Sequence, residues 1–142
     1  MKIAVNRCYG GFGLSPKAIE YYLSLKGLPC FFYKQTKYKH NGGVNEFIKV
    51  STDEASGWDN CYTIDHGDKM SSETYGDTSG YFYYRSIERN DPLLIQTIEH
   101  IGFKESSGPC AAVDIVDIPD GIQWEIDEYD GMESVHEAHR SW

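Results

Sequence analysis

Ile122-Gln123-Trp124-Glu125-Ile126-Asp127 alternates apolar and polar side chains without a break. Successive side chains of a strand point to opposite faces, so this period of two predicts Ile122, Trp124 and Ile126 inward and Gln123, Glu125 and Asp127 outward. Residues 111–118 (Ala-Ala-Val-Asp-Ile-Val-Asp-Ile) form a second apolar run, and Pro119-Asp120-Gly121 between the two is a tight turn. Together they predict a core hairpin over 111–126 with Trp124 buried. Residues 30–37 and 44–51 flank Asn41-Gly42-Gly43, and Asn-Gly is a strong hairpin signal because both residues accept positive φ. Further strands are expected at 2–7, around Cys61-Tyr62-Thr63-Ile64, and at 80–86, where Tyr81-Phe82-Tyr83-Tyr84 is densely aromatic.

Helices are marked by their ends. Ser15 is a natural N-cap with Pro16 in the first turn, and Ile19, Tyr22 and Leu23 fall on one face before Gly27 and Pro29 stop the helix. Asn90 or Asp91 caps a second helix, with Pro92 in its first turn, a stripe of Leu94, Ile98 and Ile101, and Gly102 at its end. Asp130 with Glu133 has the spacing of a capping box and predicts a final helix running to His139-Arg140-Ser141-Trp142. Hairpins outnumber strand–helix–strand units, so the expected fold is α+β, a mostly antiparallel sheet with about three helices packed on it.

At 142 residues the chain is expected to be a single domain, 1–142, with a polar, mobile segment near 52–79 rich in Gly, Ser and Asp. The 22 acidic against 13 basic residues give a net charge of −9, which opposes general nucleic-acid binding, because that depends on a basic field displacing counterions. An anionic ligand therefore needs a local cation. No apolar run reaches membrane-spanning length, and the first residues lack the apolar core of a signal peptide, so no membrane association is expected. The cysteines at 8, 30, 61 and 110 contain no C-x-x-C pair, and they are expected to stay reduced in a cytoplasm.

Two segments carry candidate binding residues. Gly10, Gly11 and Gly13 lie between the first strand and the helix capped by Ser15, the context in which backbone N–H groups cradle an anion, and Arg7 stands beside them. The glycines match neither a dinucleotide fingerprint nor a P-loop, and a tight turn that packs the helix close to the sheet explains them better. Alternation in 81–85 puts Tyr81, Tyr83 and Arg85 on one face, suited to stacking a base or docking a peptide. Glu133, His136 and His139 have metal-ligand spacings, but steps of three on a helix turn each side chain about 60° out of line, so no metal site or cofactor is expected. Glu125, Asp127, Glu128 and Asp130, and Asp65 with His66, read as solvated groups, and no catalytic residue is assigned.

Asn6-Arg7-Cys8-Tyr9-Gly10-Gly11-Phe12-Gly13-Leu14-Ser15 resembles the opening of a family of short, largely uncharacterised tailed-bacteriophage proteins. The similarity resumes at Arg89-Asn90-Asp91-Pro92-Leu93 and from Ile118-Pro119-Asp120-Gly121 to Trp142. The resemblance implies a phage protein acting in the bacterial host cytoplasm. With the aromatic surface and the missing catalytic constellation, it implies an accessory protein that binds and neutralises or redirects a host factor. An anti-defence protein would do so by sequestering a nucleotide-type signal or by blocking a host protein. The alternative is a small enzyme acting on a nucleotide or other phosphorylated substrate. The expected partner is a host protein or a small anionic ligand, and an oligomer is compatible with either.

Overall fold

The computed structural model describes residues 1–38, 43–72 and 79–138. The elements run β1 (Lys2–Asn6), α1 (Pro16–Leu25), β2 (Phe31–Lys37), β3 (Asn45–Val50), β4 (Asn60–Tyr62), β5 (Lys69–Ser72), β6 (Tyr81–Phe82), α2 (Pro92–Ile101), α3 (Phe103–Ser106), β7 (Val113–Asp117), β8 (Trp124–Tyr129) and β9 (Met132–Glu137). A 3-10 turn, Tyr84–Ser86, follows β6. The fold is α+β, and every strand pairing among the described residues is antiparallel. The strands divide into three sheets: β1–β7, a five-stranded sheet in the order β5-β3-β2-β4-β6, and the ribbon β8–β9.

Both long helices begin where their caps predict. Ser15 Oγ accepts the Ala18 N–H at 3.2 Å, and the Asp91 carboxylate, rather than Asn90, accepts from Leu93 at 2.8 Å. The Tyr22 hydroxyl donates to that same Asp91 at 2.6 Å, which ties α1 to the start of α2. The main core joins Ile19, Tyr22 and Leu23 of α1, Leu94 and Ile98 of α2, Ala4 of β1, and Phe32 and Cys61 on one face of the five-stranded sheet. The opposite face carries a smaller core of Tyr33, Phe47, Tyr62 and Met70, as strand alternation requires. Residues 63–68 fold over it: His66 donates its backbone N–H to the Tyr33 hydroxyl at 3.0 Å, and that hydroxyl donates to the Gly67 carbonyl at 2.8 Å.

Several expectations are corrected. Residues 111–126 do not pair as a hairpin: β7 returns to β1, while β8 turns into β9. The final helix is a strand. Asp130 and Gly131 adopt φ of 49° and 89°, the left-handed pair of a two-residue hairpin turn whose twist matches the flanking strands, so Asp130 does not open a helix. Trp124 is half-buried, because the ribbon docks on β1 through β9 and leaves β8 outermost. The aromatic strand stops at Phe82, where Ser86 bonds back to the Tyr83 carbonyl through both its N–H and its hydroxyl (3.0 and 2.7 Å). Within 52–79, β5 joins β4 as a second strand, pairing with β3. The Asn41-Gly42 turn lies outside the described residues, as does the chain from His139 onward.

Glu133 shows what holds the ribbon in place. Its buried carboxylate accepts from Arg89 Nη1 and Nη2 at 2.6 and 2.8 Å and from the Asn6 backbone N–H at 2.8 Å. The Arg89 guanidinium lies 3.8 Å above the Phe12 ring, so one face and both terminal nitrogens are engaged. Asn6 is fully buried: its amide donates to the Cys8 and Gly131 carbonyls (2.5 and 2.6 Å) and accepts from Cys8 and Ala112 (3.3 and 2.9 Å). At Gly131 a Cβ would stand 2.1 Å from the Gly11 nitrogen, so only glycine lets the ribbon's turn sit on the N-terminal loop.

Candidate ligand-binding cleft

Ser56-Gly57-Trp58-Asp59 precedes β4 as a loop clamped at both ends. The Asp59 carboxylate, whose side chain is 8% exposed, accepts the Ser56 N–H at 2.8 Å and pairs with Lys34 Nζ at 3.2 Å. Asp59 N–H donates to the Ser56 carbonyl at 3.1 Å, and Trp58 N–H to the Ser56 hydroxyl at 3.3 Å. Gly57 packs so tightly on Pro109 that a Cβ would lie 2.0 Å from its ring. The indole this loop presents is 74% exposed. Leaving that much apolar area in water forgoes burial worth roughly 25 cal/mol per Å², on a backbone already ordered at its own entropic cost.

Trp58 overhangs a cavity of about 280 Å³ between this loop and the 3-10 turn, lined also by Tyr81, Tyr83, Tyr84 and Arg85 with Cys61 beneath. The Tyr81 and Tyr83 rings stack at 6.5 Å with 15° between their planes, and both stay partly open to solvent. Burial, followed by the neighbouring Tyr83, raises the Tyr81 hydroxyl above its ordinary value, so it stays a neutral donor at any ordinary pH. Trp58, Asp59 and Asn60 also form one wall of a second cavity, of about 380 Å³, on the side of Tyr38 and Lys34. Within that shared wall Asn60 Nδ2 is buried with no hydrogen-bond partner among the described residues. A buried amide donor left unpaired costs about 1–3 kcal/mol.

The residues singled out in sequence separate into two groups. Tyr83 and Arg85 line the first cavity, and Gly11 backs Arg85 so closely that a Cβ there would stand 2.7 Å from the guanidinium. Gly13 lies beneath the Tyr84 hydroxyl and accepts the Gly108 N–H through its carbonyl at 3.0 Å. The glycine loop thus supports the aromatic turn. Its N–H groups do not form an open cradle: Gly10 donates to the Asp130 carbonyl at 2.9 Å, and Gly11 and Gly13 are buried. Ser15 is occupied as the α1 cap and donates its hydroxyl to the Glu105 carbonyl at 2.6 Å. Arg7 lies apart from Arg85's cavity, bonded to the Glu133 carbonyl at 3.1 Å and 3.5 Å from the Asp114 carboxylate, beside a small cleft that Asp127 and Glu128 make acidic.

Other candidates resolve into local pairs. Cross-strand register in the ribbon brings His136 to Glu125 (Nε2 to Oε1, 2.7 Å) and to Asp127 (Nδ1 to Oδ2, 3.2 Å), a group whose ligand atoms all lie within 4.8 Å on an open face. Glu133 is not part of it, being committed to Arg89. Asp65 and His66 do not act as a dyad: Asp65 bonds Lys49 and the Gly67 N–H, and His66 Nε2 lies 2.6 Å from the Ser79 carbonyl. Lys49, then Gly67, holds the Asp65 carboxyl below its ordinary value. Cys30 and Cys61 sulfurs are 3.4 Å apart, and this contact, with burial, pushes the Cys61 thiol up and keeps it protonated.

Trp58, Asp59 and Asn60 were missed in the sequence because they sit in a polar stretch that reads as loop. The available signal was the lone tryptophan at its centre, an unusual residue to strand among Gly, Ser and Asp. No family model matches the chain, and neither a curated protein nor a solved structure gives a significant match. Among the described residues no helix is long and apolar enough to cross a membrane.

Proposed function

We propose that the protein is a non-catalytic accessory protein, of phage origin as its terminal segments suggest, that captures a small planar anion of nucleotide type in the cleft beneath Trp58. The observation carrying this is the indole, 74% exposed yet held by a hydrogen-bonded loop beside a cavity also lined by Tyr83 and Arg85. Rigid exposed aromatics are contact groups, since they bring large area at little entropic cost. Stacking surfaces accept any base, and Arg85 supplies the positive charge that a chain of net charge −9 otherwise lacks. Capture in the host cytoplasm withholds the ligand from the host protein that reads it.

Calorimetry against the common nucleotides tests this. We expect binding in a 1:1 ratio, and a loss of about 1.5–3 kcal/mol in Arg85→Met, the worth of a charged hydrogen bond. Trp58→Ala is expected to weaken binding comparably, with circular dichroism unchanged in both. Absence of binding by every nucleotide, or equal binding by both folded variants, overturns the proposal.

A further inference from the structure

The cleft has a second half. The cavities of about 280 and 380 Å³ lie on either side of one wall, Trp58-Asp59-Asn60, and neither alone has much room beyond a single base with its sugar. Each offers the same equipment. One has Tyr83 and Arg85, the other Tyr38 and Lys34, and the Trp58 indole borders both. Lys34 is paired with Asp59, so the second half is close to neutral, while Arg85 makes no ion pair among the described residues, lying beside the Tyr84 hydroxyl and feeling the Glu128 carboxylate only at longer range.

Resting on the nucleotide reading above, we infer that the ligand is a dinucleotide, with one base in each cavity and Trp58 between them. Two aromatic pockets at fixed separation select a molecule with two planar rings, because the second ring then binds at high effective concentration. Arg85 faces the phosphodiester, the one charge that such a ligand must bring. Longer strands are disfavoured, since each added phosphate enters the field of a protein carrying −9.

The test uses the full chain and, for each of the four bases, the linear homodinucleotide, the matching mononucleotide and the decanucleotide, with calorimetry as readout. The dinucleotide of at least one base is expected to bind 1:1 and about 5- to 150-fold more tightly than its mononucleotide, the contribution of one further stacked base. Tyr38→Ala, altering only the second cavity, is expected to bring those two affinities together. Equal affinity for mononucleotide and dinucleotide overturns the inference while leaving the nucleotide site standing, as does an undiminished dinucleotide advantage in Tyr38→Ala. A decanucleotide that binds more tightly per site than the dinucleotide overturns it in favour of an open strand-binding groove. Failure of all three ligands overturns the nucleotide reading itself.

Discussion

Around Glu133 and around Trp58 the chain sets charged side chains beside aromatic rings, and it does so to opposite ends. At the ribbon dock, Arg89 covers Phe12, both its terminal nitrogens reach the Glu133 carboxylate, and Asn6 completes the bonding, with Glu133 and Asn6 buried and Arg89 largely so. At the cleft, the loop beneath Trp58 is held by its own hydrogen bonds, but what it displays is open: an exposed indole, two half-open tyrosines and an arginine. The first arrangement has its partners within the chain and holds two parts of the fold together. The second leaves its rings and Arg85 open to solvent, and the proposed ligand would cover them.

The largest effect should come from breaking the closed side. Glu133→Ala leaves the largely buried Arg89 with only the Ala4 carbonyl and the Phe12 face, and we expect a loss of about 3 kcal/mol in unfolding free energy, read as a lower denaturant midpoint. An unchanged midpoint would show that water or another group already neutralises Arg89, and the contrast would fail. Trp58→Ala should move stability by no more than about 0.5 kcal/mol, since an exposed ring is lost while the Asp59 clamp stays. A fall of 2 kcal/mol or so by the same denaturation would mean that the indole is packed, and the cleft would lose its leading feature.

The smallest effect concerns pH. Lys49 and the Gly67 N–H lower the Asp65 carboxyl below its ordinary 3.8, so its contribution is complete above that value and is lost as pH falls through the lower folded value. Because the carboxylate is on the surface, the change in acid stability should be slight. Carbon-detected NMR titration should place the Asp65 midpoint below 3.8 in the native protein and return it towards that value in Lys49→Met. An identical midpoint in the variant would remove Lys49 as the cause.

Much of the secondary structure is written locally. Ser15-Pro16 and Asp91-Pro92 mark both long helices, and the alternation of 122–127 places Trp124 and Ile126 on the sheltered face and Glu125 and Asp127 on the open one, as found. The Asp130-Gly131 turn was equally present in the sequence, but Asp130 with Glu133 also fits a capping box, and a three-residue spacing cannot choose between a helix start and a strand. What decides is Arg89, 44 residues away, which draws Glu133 into the interior. Of the residues lining the first cavity, Tyr83 and Arg85 were singled out by a strand alternation that in fact ends at Phe82, and Trp58 was not singled out.

The sequence by itself therefore determined the two long helices, most of the strands, the antiparallel α+β class, the acidic field and the aromatic wealth of 81–85, since each depends on neighbours within a few positions. Tertiary structure alone decided that β7 pairs with β1, that the glycine loop braces Arg85 while Arg7 faces elsewhere, and that Trp58 and Tyr83 share one cavity. Pairing partners and cavities are set by which distant surfaces satisfy one another's hydrogen bonds and apolar faces. No local window contains that information.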